Sequence, residues 1–511
     1  MSGSRHHNPT VYRWREFAAR NHFYLSVAIT VLLFYFSFLL LFFSRALLAD
    51  PDTLWHIRTG QWILAHARVP TVDLYSYTAV GKPWISTEWL AEIFFALSFK
   101  IGEWRGVVIL SALACSAIIA IICFYLVRTL RFTIAIGWTA LTSVAISPHF
   151  LARPHLFAYI LASIWVIKLL ESYDSGDFRS SIPVFCVLMV LWANLHPSFT
   201  FGIALLCVVV GYSCCEKILR REYLRCKDEL FTVIVVTISA LFTPYGVYSA
   251  LLTLHTMNIK YAVKFIGEWH APDFQQNGIQ LFLIVGFLMT MTGLGIRLRG
   301  PRLIMYGIVL ILGLRYSRGL TMFYLLTPII FAKPVADAIW FRATQLDFSQ
   351  PEGSRTTGNM DPVLLYLQKR SIMIPTMFLA VAIAATAASW HLTGIGPPDS
   401  AAPKAALDFV RNAGITGNVF NNYNFGGYLI FKGIPTFIDG RLPPHTDDFL
   451  KEYDDAVTLA DIKNPFRLLD KYDVKWVLLL PSDPLVKALA ASNLWNDVYS
   501  DKFAVVFVRS Q

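Results

Sequence analysis

The chain has 511 residues, 55% of them hydrophobic and only 15% charged, with a mean hydropathy of +0.51. Those values exclude an ordinary soluble globular domain and place the chain among polytopic membrane proteins. The net charge of +10 calls for no nucleic-acid partner, because the basic residues gather in short segments between apolar runs, as the positive-inside rule requires.

Residues 1–22 are polar and carry Arg5, Arg13, Arg15 and Arg20 against one acid, Glu16, so this end is expected in the cytoplasm. The first apolar run, Leu25 to Leu48, is interrupted only near its end by Arg45. It is too long for a cleavable signal, and no small-residue cleavage site follows it. Run lengths predict about eleven spans, near 24–48, 106–127, 132–148, 155–171, 181–194, 198–215, 230–247, 280–296, 303–314, 319–336 and 372–390. The basic groups then alternate sides. Arg128 and Arg131, Lys168 and Arg179, Lys217 to Lys227 (with Arg220, Arg221 and Arg225), Arg297 to Arg302, and a polar loop at 337–371 containing Pro351 to Ser354 all fall on the cytoplasmic side. The predicted arrangement is N-in, C-out, with a membrane domain over 23–395 in the plasma (inner) membrane. The seven cysteines lie in or beside apolar runs without metal-ligand spacing, so neither a disulfide framework nor a thiolate metal site is expected.

Residues 50–105 form a first outer loop far longer than a connector needs. Leu54, Ile57, Trp62 and Ile63 predict one short amphipathic helix. Trp89, Leu90, Ile93, Phe94 and Leu97 predict a second, with Ser86 or Thr87 as N-cap. Both have the pattern of helices lying in the membrane interface. Beyond a Gly/Pro/Ala linker at 394–403, residues 396–511 read as a small extracytoplasmic α/β domain. Strands are expected at Thr436–Ile438, Trp476–Leu480 and Ala504–Val508, and helices at 404–412, 447–458 and 484–492.

On this topology the unusual polar residues sort to one face. Asp50, Asp52, His56 and Glu88 lie in the first outer loop; His149, Arg153 and His155 in the second. Asn194, His196 and Ser198 make a tight outer turn, and Glu268, His270, Asp273, Arg315 and Arg318 belong to two later loops. Asp50-Pro51-Asp52 alone fits an acidic helix stop with Pro51 as breaker, and single histidines and arginines fit span-end anchors. Five loops meeting on one face suit group transfer from a lipid phosphate. In that reading Arg153, Arg315 and Arg318 receive the phosphate, and a first-loop carboxylate takes the acceptor's proton. A second carboxylate or a divalent metal would orient the acceptor. Asn421 to Tyr428 lacks the dinucleotide fingerprint and reads as a Gly-rich turn into a helix, and Asp439-Gly440-Arg441 as a turn with a local ion pair.

The segments D-x-D-T-L-W-H (50–56), P-x-x-D-x-Y-S-Y-T (70–78), G-K-P-W-I (81–85) and E-W-L-A-E (88–92) resemble the first outer loop of a bacterial membrane family. That family belongs to the GT-C glycosyltransferases and is related to protein O-mannosyltransferases. R-P-H-L-F (153–157), W-A-N-L-H-P-S-F (192–199), G-E-W-H-A-P-D-F (267–274), N-Y-N-F-G-G-Y-L-I (422–430) and F-I-D-G-R (437–441) extend the resemblance over nearly the whole chain. The family pattern often has Gly after the His of the N-L-H turn, where this chain has Pro197. The resemblance implies an inverting transferase that moves a hexosyl or pentosyl group from a polyprenyl-phosphate sugar to a glycan, lipid or protein acceptor. Asp50 would be the base, Asp52 its assistant or a metal ligand, and Glu88 a wall of the acceptor site. His56, His155, Asn194, His196, Glu268 and His270 complete the expected substrate-binding set. A lipid or glycan transporter and a non-catalytic scaffold are the rival readings. A transporter would place charges at mid-span or show internal repeats, and neither pattern is evident.

Overall fold

The structure is a computed structural model and describes residues 9–222, 226–257, 261, 266–275, 278–348, 370–391, 394–441, 444–460 and 466–510. Helix α1 (Pro9–Phe42) begins inside the segment predicted as a polar tail, and a one-turn α2 (Ser44–Leu47) ends the first apolar run. Then follow α3 (Asp52–His66), α4 (Trp89–Thr129), α5 (Phe132–Ile146), α6 (His155–Ser175), α7 (Ile182–Leu195), α8 (Phe199–Leu219), α9 (Lys227–Ser239) and α10 (Val247–Met257). The bundle closes with α11 (Gly278–Gly293), α12 (Pro301–Arg315), α13 (Ser317–Phe348) and α14 (Met373–His391). Each predicted span falls on a helix. Among the described residues six helices are long and apolar enough to cross a membrane, and Arg179–Leu195 and Gly278–Gly293 are shorter apolar segments. The protein is a multi-pass membrane protein.

Three predicted boundaries move. The run 230–247 stops being helical at Ser239, because Thr243-Pro244-Tyr245-Gly246 makes a turn with Gly246 at φ +53. That turn serves the first loop: the Tyr245 hydroxyl donates to Pro70 O at 2.9 Å and accepts from Ser86 N at 3.2 Å. The predicted interfacial helix at 89–97 continues into the next span through non-helical Gly102 and Glu103, and Glu88, with no side-chain cap, stands where Ser86 or Thr87 was expected. Helix α13 carries on to Phe348 into the predicted 337–371 loop; residues 349–369, with Pro351 to Ser354, lie outside the described residues, as does Arg225.

The C-terminal domain starts with α15 (Lys404–Asn412) and β1 (Asn418–Asn421), then α16 (Gly426–Lys432), α17 (Asp447–Val457) and α18 (Arg467–Lys471). It ends with β2 (Val474–Leu479), α19 (Pro484–Ala490), β3 (Trp495–Ser500) and β4 (Val505–Arg509). The sheet order is β1-β2-β4-β3, with β1 and β2 parallel and the other pairs antiparallel. The expected strand at Thr436–Ile438 is not in this sheet. Hemmed in by Pro435 and Gly440, it lies along residues 75–77 of the segment between α3 and α4 instead: Thr436 N donates to Tyr75 O at 3.0 Å and Tyr77 N to Thr436 O at 3.1 Å. Strands β1 and β3 were not predicted, since Asn and Asp dilute their β-branched residues.

The domain and the first loop share a core. Leu54, fully buried at the start of α3, packs with Leu407, Val419, Phe425, Tyr428 and Trp476 of the domain. Trp55 and Trp84 enclose Ile430. Burial of such a side chain contributes about 1.5–3 kcal/mol. Glycines set the closest approaches: a Cβ on Gly427 would overlap the Pro51 carbonyl, and one on Gly440 the Asp52 carboxylate.

Candidate active site

The chain enters the site at Asp50. Its Oδ1 accepts from Asp52 N at 2.8 Å, which turns the backbone at Pro51 and starts α3 with Asp52 in the first turn, where the helix dipole favours an anion. Both carboxylates then meet one guanidinium. Arg153 Nη1 lies 3.1 Å from Asp50 Oδ2, Nη2 lies 2.7 Å from Asp52 Oδ2, and Nη1 also reaches Glu268 Oε1 at 2.8 Å. Trp55 Nε1 donates to Asp52 Oδ1 at 3.0 Å. Arg153 reaches this point because Ala152 N is tied to Leu47 O at 2.8 Å, which places the segment before α6 beside the end of α2. The cluster is open on one flank, where Glu268 and Arg318 are 34% and 36% exposed and their side chains lie 4.0 Å apart.

A second group adjoins the first. Glu88 sits between His56 Nε2 at 3.6 Å and His196 Nε2 at 3.4 Å, and His56 Nδ1 contacts Glu92 Oε1 at 3.3 Å. Ser198 N donates to His196 Nδ1 at 3.1 Å, so in the neutral ring the proton is on Nε2, facing Glu88.

Burial governs the protonation of these groups. It raises Asp52 to about 7, with the neighbouring Asp50 charge adding to the rise and Arg153 opposing it. It raises Asp50 as well, again against the pull of Arg153. Glu88 is pushed up to about 7 by burial, with Arg153 and Arg318 pulling the other way. Burial drives His56 and His196 far below the ordinary histidine value, so both are neutral at physiological pH. Glu268 goes the opposite way: burial opposes ionisation, yet Arg153 and Arg318 hold it at about 2. The site thus pairs a permanent anion on its open flank with two carboxyl groups that change charge near neutrality.

The sequence-predicted residues divide accordingly. Asp50, Asp52, Arg153, Glu268 and Arg318 come together, and His56, Glu88 and His196 form the adjoining group. His155 opens α6 and packs behind, its Nε2 3.0 Å from His149 O. Asn194 is occupied by structure: its Oδ1 accepts from Trp89 Nε1 at 2.9 Å and its amide donates to Val190 O and Phe242 O. Arg315 is exposed over the Tyr316 ring, and His270 is exposed while its carbonyl accepts from Ser317 N at 2.8 Å.

The sequence reading missed three contributors. Glu92 lies one helical turn after Glu88, a spacing that puts both on one face. Asp73 and Arg441 form a buried ion pair at 2.6 Å, and Arg441 also holds Asp439 at 2.8 Å between the rings of Tyr75 and Trp84. The expected Asp439–Arg441 ion pair is therefore present, but it also clamps the domain to the first loop. Away from the site, Cys214, Cys226 and Glu229 bring their ligand atoms within 4.8 Å of one another, which their spacing did not reveal. There Glu229 already holds Lys217 Nζ at 2.7 Å and Ser213 Oγ at 2.6 Å.

No protein-family model and no curated protein sequence matches the chain. Among solved structures it is similar to the arabinofuranosyltransferase AftD from Mycobacteria, with a TM-score of 0.52 and 13% identity over 96% of this chain and 40% of that one. It is also similar to ArnT from Cupriavidus metallidurans bound to undecaprenyl phosphate (TM-score 0.45, 13% identity, 94% and 97% covered). A third similar structure is the apo oligosaccharyltransferase of Archaeoglobus fulgidus (TM-score 0.46, 9% identity, 89% and 69% covered). The likeness to AftD is one of fold.

Proposed function

We propose that the protein transfers a sugar from a polyprenyl-phosphate donor to an acceptor at the extracytoplasmic face of the plasma membrane, with inversion at the anomeric carbon. The observation that carries this reading is the pair Asp50 and Asp52 held on one guanidinium, with Arg318 on the open flank. In the proposed step the acceptor hydroxyl oxygen bonds to the anomeric carbon as the carbon–oxygen bond to phosphate breaks. The phosphate leaves with the electron pair, and the acceptor's proton passes to Asp50. One displacement inverts the centre. Asp52 orients the acceptor, and Arg153, saturated by three carboxylates, holds Asp50 and Asp52 in register. That moves the phosphate to Arg318, with Arg315 close along the chain. Glu88, between two neutral histidines, walls the acceptor side.

A divalent cation does not fit these donors. Arg153 already occupies the centre of the Asp50, Asp52 and Glu268 cluster. His196 carries its proton on the nitrogen that faces Glu88 and has no lone pair there for a metal. The orientation in this reading is N-in, C-out, with residues 396–511 outside the membrane.

The test uses the full chain in nanodiscs, titrated with a panel of polyprenyl-phosphate sugars and followed by thermal stabilisation and by transfer. One sugar head should stabilise the wild type, and Asp50→Asn should bind it without turnover. A folded Asp50→Asn protein with unchanged transfer would sink the assignment of the base. No response to any donor would favour a transporter or scaffold.

A further inference from the structure

Helices α1, α4 and α14 leave between them a groove of about 480 Å³. Leu33 and Phe36 of α1, Leu113 of α4, and Leu379, Ile383 and Trp390 of α14 line it, together with the polar Thr386. From Leu379 to Trp390 the groove runs roughly 16 Å at 1.5 Å per helical residue. That is close to half of a hydrocarbon core about 30 Å thick, the depth of a single leaflet. Leu379, Ile383 and Trp390 are largely exposed, so the groove opens sideways toward lipid.

Its end nearest Asp50 is basic. The Arg105 guanidinium lies 5.9 Å from the Trp390 ring, and Gly102 faces the same ring. Arg45 donates to the Gly394 carbonyl at 3.2 Å, four residues past Trp390. Gly394 has φ +74, and a Cβ there would sit 3.0 Å from Arg45 Nη2, so glycine permits this approach. Lys404 brings its ammonium beside Gly396. Glu103 is the acidic residue next to Gly102 in the chain. An apolar slot one leaflet deep, with a tryptophan and the Arg105 guanidinium at its end and Arg45 bound four residues beyond at Gly394, matches a chain with an anionic head in both length and charge.

We infer that this groove holds one acyl chain of an anionic phospholipid, with its phosphate on Arg45 and Arg105. A polyprenyl carrier of many isoprene units would outrun a groove one leaflet deep, so the occupant is a phospholipid and the site is separate from the donor's. The inference stands independently of the transfer reaction. Each cation is worth a factor of about five in attraction to an anionic lipid.

The experiment exchanges the full chain from micelles containing phosphatidylcholine and phosphatidylglycerol and counts retained lipid by native mass spectrometry. One phosphatidylglycerol per chain should be retained over phosphatidylcholine. Arg45→Ala with Arg105→Ala should weaken retention about 25-fold. Ala387→Trp, at an exposed position lining the groove, should abolish it without touching the packed core, which keeps the test decisive if the double arginine variant fails to fold. Arg220→Ala with Arg221→Ala, outside the groove, should change nothing. Equal retention of the two lipids, undiminished phosphatidylglycerol in either groove variant, or its displacement by added polyprenyl phosphate would each overturn the inference.

Discussion

Replacing Arg441 with Met tests how the C-terminal domain is held. Arg441, Asp73 and Asp439 have fully buried side chains. The guanidinium gives Nε and Nη2 to Asp439 at 2.8 Å each and Nη1 to Asp73 at 2.6 Å. Its Cζ lies 4.8 and 4.7 Å from the Tyr75 and Trp84 ring centroids. Methionine keeps much of the volume but strands two buried carboxylates, and breaking a buried pair costs about 3–5 kcal/mol. The expected loss is of that size, a large share of a typical stability of roughly 5–15 kcal/mol. The assay is unfolding of the detergent-solubilised chain, read with limited proteolysis of the 394–403 linker. Neutralising the stranded acids in Arg441→Met/Asp73→Asn/Asp439→Asn should recover most of the loss. Burial alone would raise Asp439, but Arg441 and His445 hold it well below its ordinary 3.8. A carboxyl depressed on folding stabilises above its unfolded value, so this contribution is present above about pH 4 and disappears as pH falls further. Arg441→Met within about 0.5 kcal/mol of wild type, or a triple variant no better than the single, would refute the reasoning.

Gly440→Ala should push Asp52 off Arg153 or Trp55 and lower transfer by about 10–100-fold, measured as kcat in proteoliposomes against a Gly211→Ala control whose added methyl meets open space. Transfer should rise with pH through about 7, where Asp52 titrates. Glu88→Gln should leave that rise in place if the Asp pair supplies the base. The same groups should make stability fall as pH climbs from about 4 to 7, since carboxyls raised on folding favour the folded state only while protonated; Glu88→Gln should flatten that slope in thermal melts across pH. Arg153→Lys keeps the charge but cannot span Asp50, Asp52 and Glu268 together, and should cost about 10²-fold in kcat with less change in KM.

Much of the bundle was legible because a bilayer leaves few options: apolar runs of sufficient length become helices. Asp50, Asp52, Glu88 and Arg153 were legible as rare charges at span ends. Pairing was not. Nothing in the spacing told Arg153 to clamp three carboxylates rather than await a phosphate, since Glu268 arrives from a loop 115 residues away. The segment Thr436–Ile438 has strand composition and does hydrogen-bond along an extended neighbour, but that neighbour is residues 75–77 of the first loop. Composition reports the tendency to pair and not the partner. Asn194 shows the converse: it looked functional from its place in a tight turn, yet its amide is used in joining α7 to α4 and the turn after α9.

The bond between Asp73 and Arg441 joins residues 368 positions apart. At a ribosomal pace of roughly 5–20 residues per second, Asp73 waits about 20–70 s for its partner. Through that interval Leu54 and Trp55 lack the aromatic and aliphatic surfaces that later enclose them, and Asp52 has no Gly440 beside it. A nascent chain that has completed the described membrane helices therefore still lacks the surfaces that enclose the start of α3. Termination anywhere before Arg441 would leave Asp73 without its guanidinium and Asp52 without the close approach of Gly440.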